Sequence, residues 1–390
     1  MKKLRKYLDR IKPNFDKGGK YWFLKSTFEA FETFLFVPDK VTYTGCHIRD
    51  AVDLKRVMVV VIISLFPPLL FGIWNTGYQH FLLLGEQKTF FEIFWYGFLK
   101  VFPIIAVTYI TGLSIEFFFA QIRNHEVNEG FLVTGLLIPL ILPVNIPLWM
   151  VAVATAFAVI FGKEVLGGTG MNIFNPALIA RAFLFFAFPS EMSGDRAWIA
   201  GIKEISLDGK TGATILGQAH LGNIQSVNLL NQPITLWDMF IGTIPGSIGE
   251  TSKLAILLGA LILIFTGIAS FKVMLSFVIG GFFTALVMNF FAVNALMSIP
   301  AWKHLLIGGF AFGAVYMITD PVSSAQTEKG KIFYGLLGGV LAMIIRILNP
   351  AYPEGVMLGI LLANAFSPLI DYFVIEANIK RRLNRVRKYD

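Results

Sequence analysis

The stretch that decides the fold is GGTGMNIFNPALIARAF, residues 167–183, where glycine and proline interrupt an apolar run. Proline has no backbone N–H, so a helix breaks near Pro176. Two further stretches share the pattern, GFLVTGLLIPLILP at 130–143 and IGGFAFGAVYMITDPVSSA at 307–325. Broken helices inside a bilayer persist where they line a cavity or pack against protein. These stretches therefore predict a helical membrane protein with an interior site at its broken helices.

The composition of the chain supports a membrane location. Of 390 residues, 55% are hydrophobic and 15% are charged, whereas soluble domains carry about a quarter charged residues. Six apolar runs are long enough to cross a hydrocarbon core of about 30 Å, and four are shorter or interrupted. The six lie near 57–75, 97–121, 254–270, 272–293, 333–349 and 356–375, and the four near 131–143, 146–162, 172–190 and 304–319.

The polar segment 191–252 divides these ten runs into five and five. Both halves contain interrupted helices, which is typical of inverted repeats with a site near the middle of the membrane. We therefore predict an all-α polytopic fold of about ten transmembrane helices in two inverted repeats, 57–190 and 253–375. Such a 5+5 core resembles urea-transporter-like folds.

Basic residues set the predicted orientation. Nineteen of the 33 Lys and Arg lie before residue 57 or after Asp371. Positive residues beside membrane spans mark the cytoplasmic side, so the N-terminal region 1–56 and the basic tail 376–390 are both predicted to be cytoplasmic. Segment 191–252 then faces outward. Basic tails also bind anionic lipid, and this placement of charge favours membrane lipid over nucleic acid as a partner.

Ionisable residues in or beside apolar runs are candidates for a site, because a charge at a helix centre costs about 2.5 kcal/mol or more. They are Glu116, Glu164, Arg181, Asp320, Arg346 and Asp371. Glu116 and Asp371 are the best candidates for a cation path, since hard cations prefer oxygen ligands. Arg181 follows Asn172 and Asn175 and is a candidate for binding a phosphate or a flavin carbonyl. A structural ion pair is the alternative for each.

The segment LDGKTGATILG, residues 207–217, is polar and glycine-rich between apolar runs. Its Gly-Lys-Thr tail matches a P-loop, but the glycine that this motif requires five positions earlier is replaced by Glu204. A different phosphate chemistry stays open for this segment. Cys46 is the single cysteine, so a redox cofactor would be organic rather than a Cys-ligated iron–sulfur cluster.

Several blocks of the sequence resemble one membrane-protein family. They are HIRDAVDLKRVM, HEVNEGFLVTG, FGKEVLGGTGMNIFNPALIARAFLFFAFP, MITDPVSS, NPAYPEGVMLGILLANAFSPLIDYFV and IKRRL. In content and order they are similar to the family of the B subunit of the Na+-translocating NADH:quinone oxidoreductase (Nqr), from about residue 20 to the end. The D subunit of the Rnf complex looks similar through the membrane core and typically lacks an N-terminal region like 1–56.

The resemblance implies a covalent cofactor. In this family, FMN is joined by a phosphoester to the last threonine of an [S/T]GAT motif, by a flavin transferase that works outside the cytoplasm. The motif reads Thr211-Gly212-Ala213-Thr214 here, with Asp208 three residues before it. Thr214 is therefore the expected attachment site. Small Gly212 and Ala213 would leave its hydroxyl open to the transferase, and an extended loop could enter the active site of that enzyme. The outward side predicted for 191–252 agrees with the side on which the transferase works.

The resemblance also implies a role in a bacterial inner-membrane complex with subunits A, C, D, E and F. Electrons from NADH would pass through partner subunits to the FMN of this chain, then to a non-covalent riboflavin, then to ubiquinone or menaquinone. A glycine pair of the quinone site is only partly present, as Gly112 followed by Leu113. Glu116 and Asp371 match carboxylates implicated in sodium translocation, and Asp320 is a further candidate for the sodium path.

Two alternatives remain open from sequence. One is the D subunit of Rnf, part of a ferredoxin:NAD+ oxidoreductase, which the length of region 1–56 disfavours. The other is a flavin-free channel or solute transporter, since the predicted 5+5 core does not by itself require a cofactor. The electron donor of the complex distinguishes the first from Nqr, and a covalent flavin excludes the second.

Overall fold

A computed structural model describes most of the chain. It covers residues 2–15, 18–25, 27–28, 32, 36, 42, 44–46, 54–123, 130–202, 212–222, 226–230, 232–349 and 354–386. This part is helical, and the single β-bridge found within it joins Val227 to Pro233. The prediction of an all-α fold is confirmed for the described residues.

Fifteen α-helices follow one another along the described part of the chain. They are α1 (Lys2–Ile11), α2 (Leu54–Leu84), α3 (Phe90–Arg123), α4 (Gly130–Leu140), α5 (Leu148–Val159), α6 (Pro176–Ala187), α7 (Pro189–Met192), α8 (Ile215–His220), α9 (Leu236–Ile241), α10 (Lys253–Phe265), α11 (Phe271–Phe291), α12 (Ala301–Leu306), α13 (Phe310–Phe312), α14 (Glu328–Leu348) and α15 (Val356–Val386). Two π-helical turns, Ile160–Glu164 and Gly313–Met317, extend α5 and α13.

Five of these helices, α2, α3, α11, α14 and α15, are long and apolar enough to cross a membrane. The helices α4, α6 and α10 are apolar but shorter. Large apolar side chains cover the outer surface, among them Phe91, Ile110 and Phe283, as expected for helices that face lipid. The chain is thus a multi-pass membrane protein. Each of the ten predicted apolar runs contains helix, while the count of ten crossings stays a prediction.

The two halves of the chain contain the same local arrangement. In the first half, α5 ends in a π-helical turn, a loop follows, and α6 begins after Asn175, whose side chain accepts a hydrogen bond from the backbone N–H of Ala177 at 2.9 Å. In the second half, α13 ends in a π-helical turn and α14 begins after Thr327, whose hydroxyl accepts from Gly330 N–H at 3.1 Å. Pro176 occupies the first position of α6, which confirms the predicted break there.

Close glycine contacts hold the long helices of the second half together. A Cβ on Gly339 of α14 would overlap the backbone carbonyl of Phe277 on α11, and a Cβ on Gly280 would lie 2.5 Å from the carbonyl oxygen of Leu336. Small residues allow such backbone approach, which is how membrane helices gain van der Waals contact. The α11–α14 pair therefore depends on glycine at these positions.

Segment 191–252 is partly folded onto the helical bundle, through α7, α8 and α9. Ile215, Leu216 and Ala219 on α8 are buried in the main hydrophobic core, as their helical spacing allows. The expectation of an extended loop is therefore wrong for residues 215–220, which form α8. Thr214 has extended backbone, but Gly212 and Ala213 beside it are buried rather than open. Asp208 and Thr211 lie outside the described residues.

Candidate functional site

Thr214 lies at the start of α8 and beside a narrow cleft. Its hydroxyl accepts a hydrogen bond from the backbone N–H of Gly217 at 3.2 Å, so it caps the helix. The residue is half-buried, and Gln218 on the same helix donates to the carbonyl oxygen of Ala213 at 3.0 Å. Backbone geometry therefore fixes where the Thr214 hydroxyl lies before any modification takes place.

The cleft beside Thr214 is bordered by charged side chains. Its walls include Glu250, Thr251, Lys253 and Glu354, and its volume is about 10 Å³. That volume holds about one water molecule. Glu250 and Thr251 lie at the end of segment 191–252, Lys253 begins α10, and Glu354 lies in the turn before α15. Thr214 therefore meets the start of the second membrane half here.

Lys253 is buried at the first position of α10. Its ammonium group donates to three backbone carbonyls, those of Glu250 at 2.7 Å, Thr251 at 3.3 Å and Gly308 at 3.2 Å. Glu250 is buried too, and one of its carboxylate oxygens accepts from Ser247 N–H at 3.1 Å. Sequence reasoning missed both residues, because they lie at the edge of a polar segment and have the pattern of ordinary loop residues.

Arg181 is fully buried on α6 and is engaged by protein groups. Its guanidinium group pairs with the carboxylate of Glu354 and donates to the backbone carbonyl of Ile141 and to Ser247 Oγ at 3.2 Å. The ion pair joins residues far apart in sequence, and no local pattern indicates it. A role of Arg181 toward a flavin stays a prediction, whereas its structural pairing is part of the observed fold.

A second, larger cavity of about 70 Å³ lies where the two halves meet. Its polar wall combines Lys163, Asn172 and Asn175 of the first half with Tyr316, Thr319 and Asp320 of the second. The structure thus brings the two predicted asparagines together with Asp320. The Tyr316 hydroxyl donates to the carbonyl oxygen of Ser64 at 2.7 Å, which closes one side of the cavity.

The two cavities lie at opposite ends of α10. Lys253 at its start borders the Thr214 cleft, and Leu263 borders the larger cavity. Ten residues of α-helix correspond to about 15 Å along its axis. The two sites are therefore placed one above the other in the same bundle, with α10 as a common wall.

Glu116 and Glu164, both predicted from their charge in apolar surroundings, have basic partners. Glu116 on α3 accepts a hydrogen bond from the Lys163 ammonium group, and both side chains are buried. The neighbouring Glu164 pairs with Arg123 at 3.2 Å. Buried charges are strongly disfavoured without such partners. Because Lys163 lines the larger cavity, its ion pair connects Glu116 to the wall of that cavity.

Asp320 and Asp371 are both half-buried and both accept hydrogen bonds from loop groups. Asp320 accepts from the backbone N–H of Ser323 at 3.1 Å and from its hydroxyl at 2.6 Å. Burial raises the pKa of the Asp320 carboxyl, and the hydrogen bonds from Ser323 oppose this shift. Asp371 accepts from the backbone N–H groups of Gln326 and Thr327 at 2.7 and 3.0 Å, which joins α15 to the start of α14.

Gly112, the predicted quinone-site residue, is packed against another helix. A Cβ at this position would overlap the ring of Phe131 on α4, and Gly112 is buried while Leu113 is half-buried on α3. The close packing of α3 against α4 therefore explains why this position is a glycine. Its connection to a quinone stays a prediction.

Together, the fold and the two cavities define an α-helical polytopic membrane protein with broken helices around buried polar sites. The model of the NQR2, RnfD, RnfE family matches residues 41–380. The chain belongs to that family, as its sequence blocks predict.

Three bacterial proteins are similar to this chain over nearly their whole length. Each is named as the B subunit of a Na(+)-translocating NADH-quinone reductase. The protein of Ectopseudomonas mendocina (strain ymp) is 47% identical over 98% of this chain and 99% of its own. That of Stutzerimonas stutzeri (strain A1501) is 47% identical with the same coverage, and that of Chromohalobacter salexigens is 44% identical over 99% of this chain and 97% of its own. The resemblance to this family of B subunits is confirmed.

Proposed function

We propose that this chain is the FMN-carrying membrane subunit of a Na+-translocating NADH:quinone reductase of the bacterial inner membrane. The observation that carries the proposal is the end-to-end identity of 44–47% with proteins of that name. Because 98% of the chain is covered, the match extends into region 1–56, which a typical D subunit of Rnf lacks. The chain then works with Nqr subunits A, C, D, E and F.

Thr214 is the residue that would carry FMN, through a phosphoester to its hydroxyl oxygen. Thr214 is half-buried beside a cleft that is lined by Lys253 and by the acidic Glu250 and Glu354. Lys253 uses its three donors on backbone carbonyls, so its contribution to a phosphoryl group would be the attraction of its charge. The bound flavin would supply electron transfer, while the chain fixes its position and its electrostatic surroundings. Because Gly212 and Ala213 are buried, we expect the flavin transferase to act before this segment packs onto the bundle.

The larger cavity is the proposed place of the non-covalent riboflavin. Amide side chains such as Asn172 and Asn175 offer both donors and acceptors, which suits the carbonyl and N–H edge of a flavin ring. The cavity of about 70 Å³ has room for several water molecules, so a flavin ring enters only if its walls separate. Ubiquinone or menaquinone would then accept electrons, with Gly112 and Leu113 as the proposed quinone-site residues.

Glu116, Asp320 and Asp371 are the proposed residues of the sodium path. Their oxygens are the ligand type that a hard cation prefers, and Asp320 lies on the wall of the larger cavity. Glu116 reaches that wall through Lys163. In this proposal, both tails of the chain are cytoplasmic and sodium leaves on the side of Thr214.

The experiment that tests the proposal is steady-state turnover by the purified complex that contains this chain. We expect NADH-driven quinone reduction that sodium stimulates and potassium does not, together with a fluorescent flavin band at the mass of this chain on a denaturing gel. Turnover with ferredoxin and NAD+ instead would support the Rnf alternative. A purified chain without any flavin would support the channel or transporter alternative and contradict the proposal.

A further inference from the structure

The strongest feature that the activity does not explain is a cluster of buried charges beside Thr214. Its members are Arg181 on α6, Glu250 in the turn before α10, Lys253 on α10, Arg346 on α14 and Glu354 in the turn before α15. All are buried except Glu354, which is half-buried. Arg181 and Glu354 form an ion pair and cancel. Two cations, Lys253 and Arg346, then face a single remaining carboxylate, that of Glu250.

Arg346 is completely buried, and its guanidinium group is only partly satisfied. One terminal nitrogen donates to the backbone carbonyl of His304 at 2.7 Å. The atoms Nε and Nη2 have no hydrogen-bond partner within the described part of the chain, and neither does Oε2 of Glu250. Native proteins leave few buried polar atoms unsatisfied, so such atoms call for an explanation.

Gly308 brings this cluster close to the helix that Thr214 begins. Its backbone φ is +60°, a left-handed conformation that favours glycine. A Cβ on Gly308 would lie 3.4 Å from Nη2 of Arg346 and 2.7 Å from Cδ1 of Leu216 on α8. Lys253 in turn lies within electrostatic range of both Glu250 and Arg346. The unbalanced positive charge of the cluster therefore lies close to α8.

We propose that Lys253 and Arg346 form a built-in counter-charge site for a phosphodiester on Thr214, so that attachment of FMN stabilises the folded chain. The inference rests on the proposed FMN at Thr214: it adds Arg346, which the proposed function does not use, and makes the stability of the chain depend on both cations. A phosphodiester carries one negative charge, which is the charge that this cluster lacks. The charged residues of 203–211, Lys203, Glu204, Asp208 and Lys210, cancel in formal charge.

The physical reason is the cost of an unbalanced charge in the protein interior. A buried ion without a partner is disfavoured by several kcal/mol, and the low dielectric near the cleft strengthens its attraction to an anion. The cleft of about 10 Å³ is too small for a phosphoryl group, so the group remains at the mouth with Thr214. In this proposal, Lys253 and Arg346 attract the phosphoryl group electrostatically from the protein interior, and they are positioning residues.

The test is a cycle of four preparations of the assembled complex. The chain with Lys253 and its Lys253→Met variant are each produced with and without the flavin transferase. After heating in detergent, the fraction of this chain that stays in solution is followed through a C-terminal tag. Loss of the three carbonyl contacts of Lys253 lowers stability equally with and without FMN, so the cycle cancels it.

FMN is expected to raise the midpoint temperature by about 3 °C or more in the chain with Lys253. In the Lys253→Met variant, this gain should fall to less than half. The matched control is Lys272→Met, which removes an exposed cation paired with Glu328 on the surface and should leave the gain unchanged. Arg346→Gln replaces Lys253→Met if the latter does not assemble, with the same expected result.

An equal gain from FMN with and without the cation would overturn the inference and leave Lys253 with a purely structural role. Mass spectrometry of the Thr214 peptide is done on every preparation. If that peptide is unmodified even with the transferase present, the proposed function fails. If the peptide is modified but FMN raises the midpoint temperature equally with and without Lys253, only the present inference fails.

Discussion

The carboxylate of Asp371 on α15 accepts hydrogen bonds from the backbone N–H of Thr327 at 3.0 Å and from its hydroxyl at 2.5 Å. A third bond comes from Gln326 N–H at 2.7 Å. Asp371 thus ties the last long helix to the start of α14, at the loop that also contains Asp320. A cation that binds Asp371 competes with these donors, and so the position of this loop depends on the charge of one carboxylate.

Asp371→Asn should raise the sodium concentration for half-maximal quinone reduction about tenfold, equivalent to about 1.4 kcal/mol. The amide keeps the size of the side chain but removes the negative charge that attracts sodium. The measurement is a sodium titration of turnover in the assembled complex. The matched control is Glu376→Gln, which neutralises a carboxylate further along α15 that pairs with Lys380. An unchanged sodium requirement in a fully assembled Asp371→Asn complex would remove this residue from the sodium path.

Glu116→Gln should lower the yield of folded chain, because it leaves the Lys163 ammonium group buried beside a neutral partner. Removing one member of a buried ion pair typically costs about 3–5 kcal/mol. The double variant Glu116→Gln/Lys163→Met should recover the yield, since it removes both charges. Its sodium titration then isolates the ion-path role: a normal sodium requirement in the double variant would mean that the pair is structural only. Yield and sodium dependence are measured on the same preparations.

Much of the fold follows from local sequence. Pro176 predicts a break in the helical run, and α6 begins at this residue, because proline suits the first position of a helix. Pro139 likewise predicts the end of α4, which ends at Leu140. The π-helical turns that end α5 and α13 were not predicted, since one extra residue in a helical turn leaves no periodic signal in apolar runs.

The candidate site was only partly predictable. Asn172, Asn175 and Asp320 were identified from composition and spacing, and the structure places them around one cavity. The Arg181–Glu354 pair could not be found this way, because an ion pair between distant segments depends on tertiary packing. The helix at 215–220 was mistaken for part of an extended loop, because a six-residue helix is shorter than the window in which helical periodicity is counted.

Gly339→Ala should destabilise the chain by about 1–3 kcal/mol, because the added methyl group meets the Phe277 carbonyl across the α11–α14 contact. The midpoint of heat inactivation of the purified complex measures the effect. The control is Phe333→Ala on the same helix, where the side chain is exposed toward the lipid and its loss should change stability less. If the two substitutions have equal effects, close α11–α14 packing is not what holds these helices together.

A cytoplasmic reporter fused after Asp390 should be active, and so should an exported reporter inserted after Gly222, which lies in a turn after α8. The basic tails predict that both ends of the chain are cytoplasmic, and an even number of crossings would then place 191–252 outside. Reporter activity in intact cells is the measurement, with the same two reporters exchanged between the sites as the control. A cytoplasmic reading at Gly222 would contradict the prediction of ten crossings.

The central claim is that Thr214 carries FMN, and peptide mass spectrometry tests it most directly. Trypsin cleavage after Lys210 and Lys253 releases one peptide that contains Thr214. In chain isolated from active complex, this peptide should be heavier by the mass of FMN less one water, and fragmentation should place the addition on Thr214. Thr214→Ala should abolish the addition, while Thr211→Ala should leave it. An unmodified Thr214 peptide from active, natively assembled complex would contradict the claim.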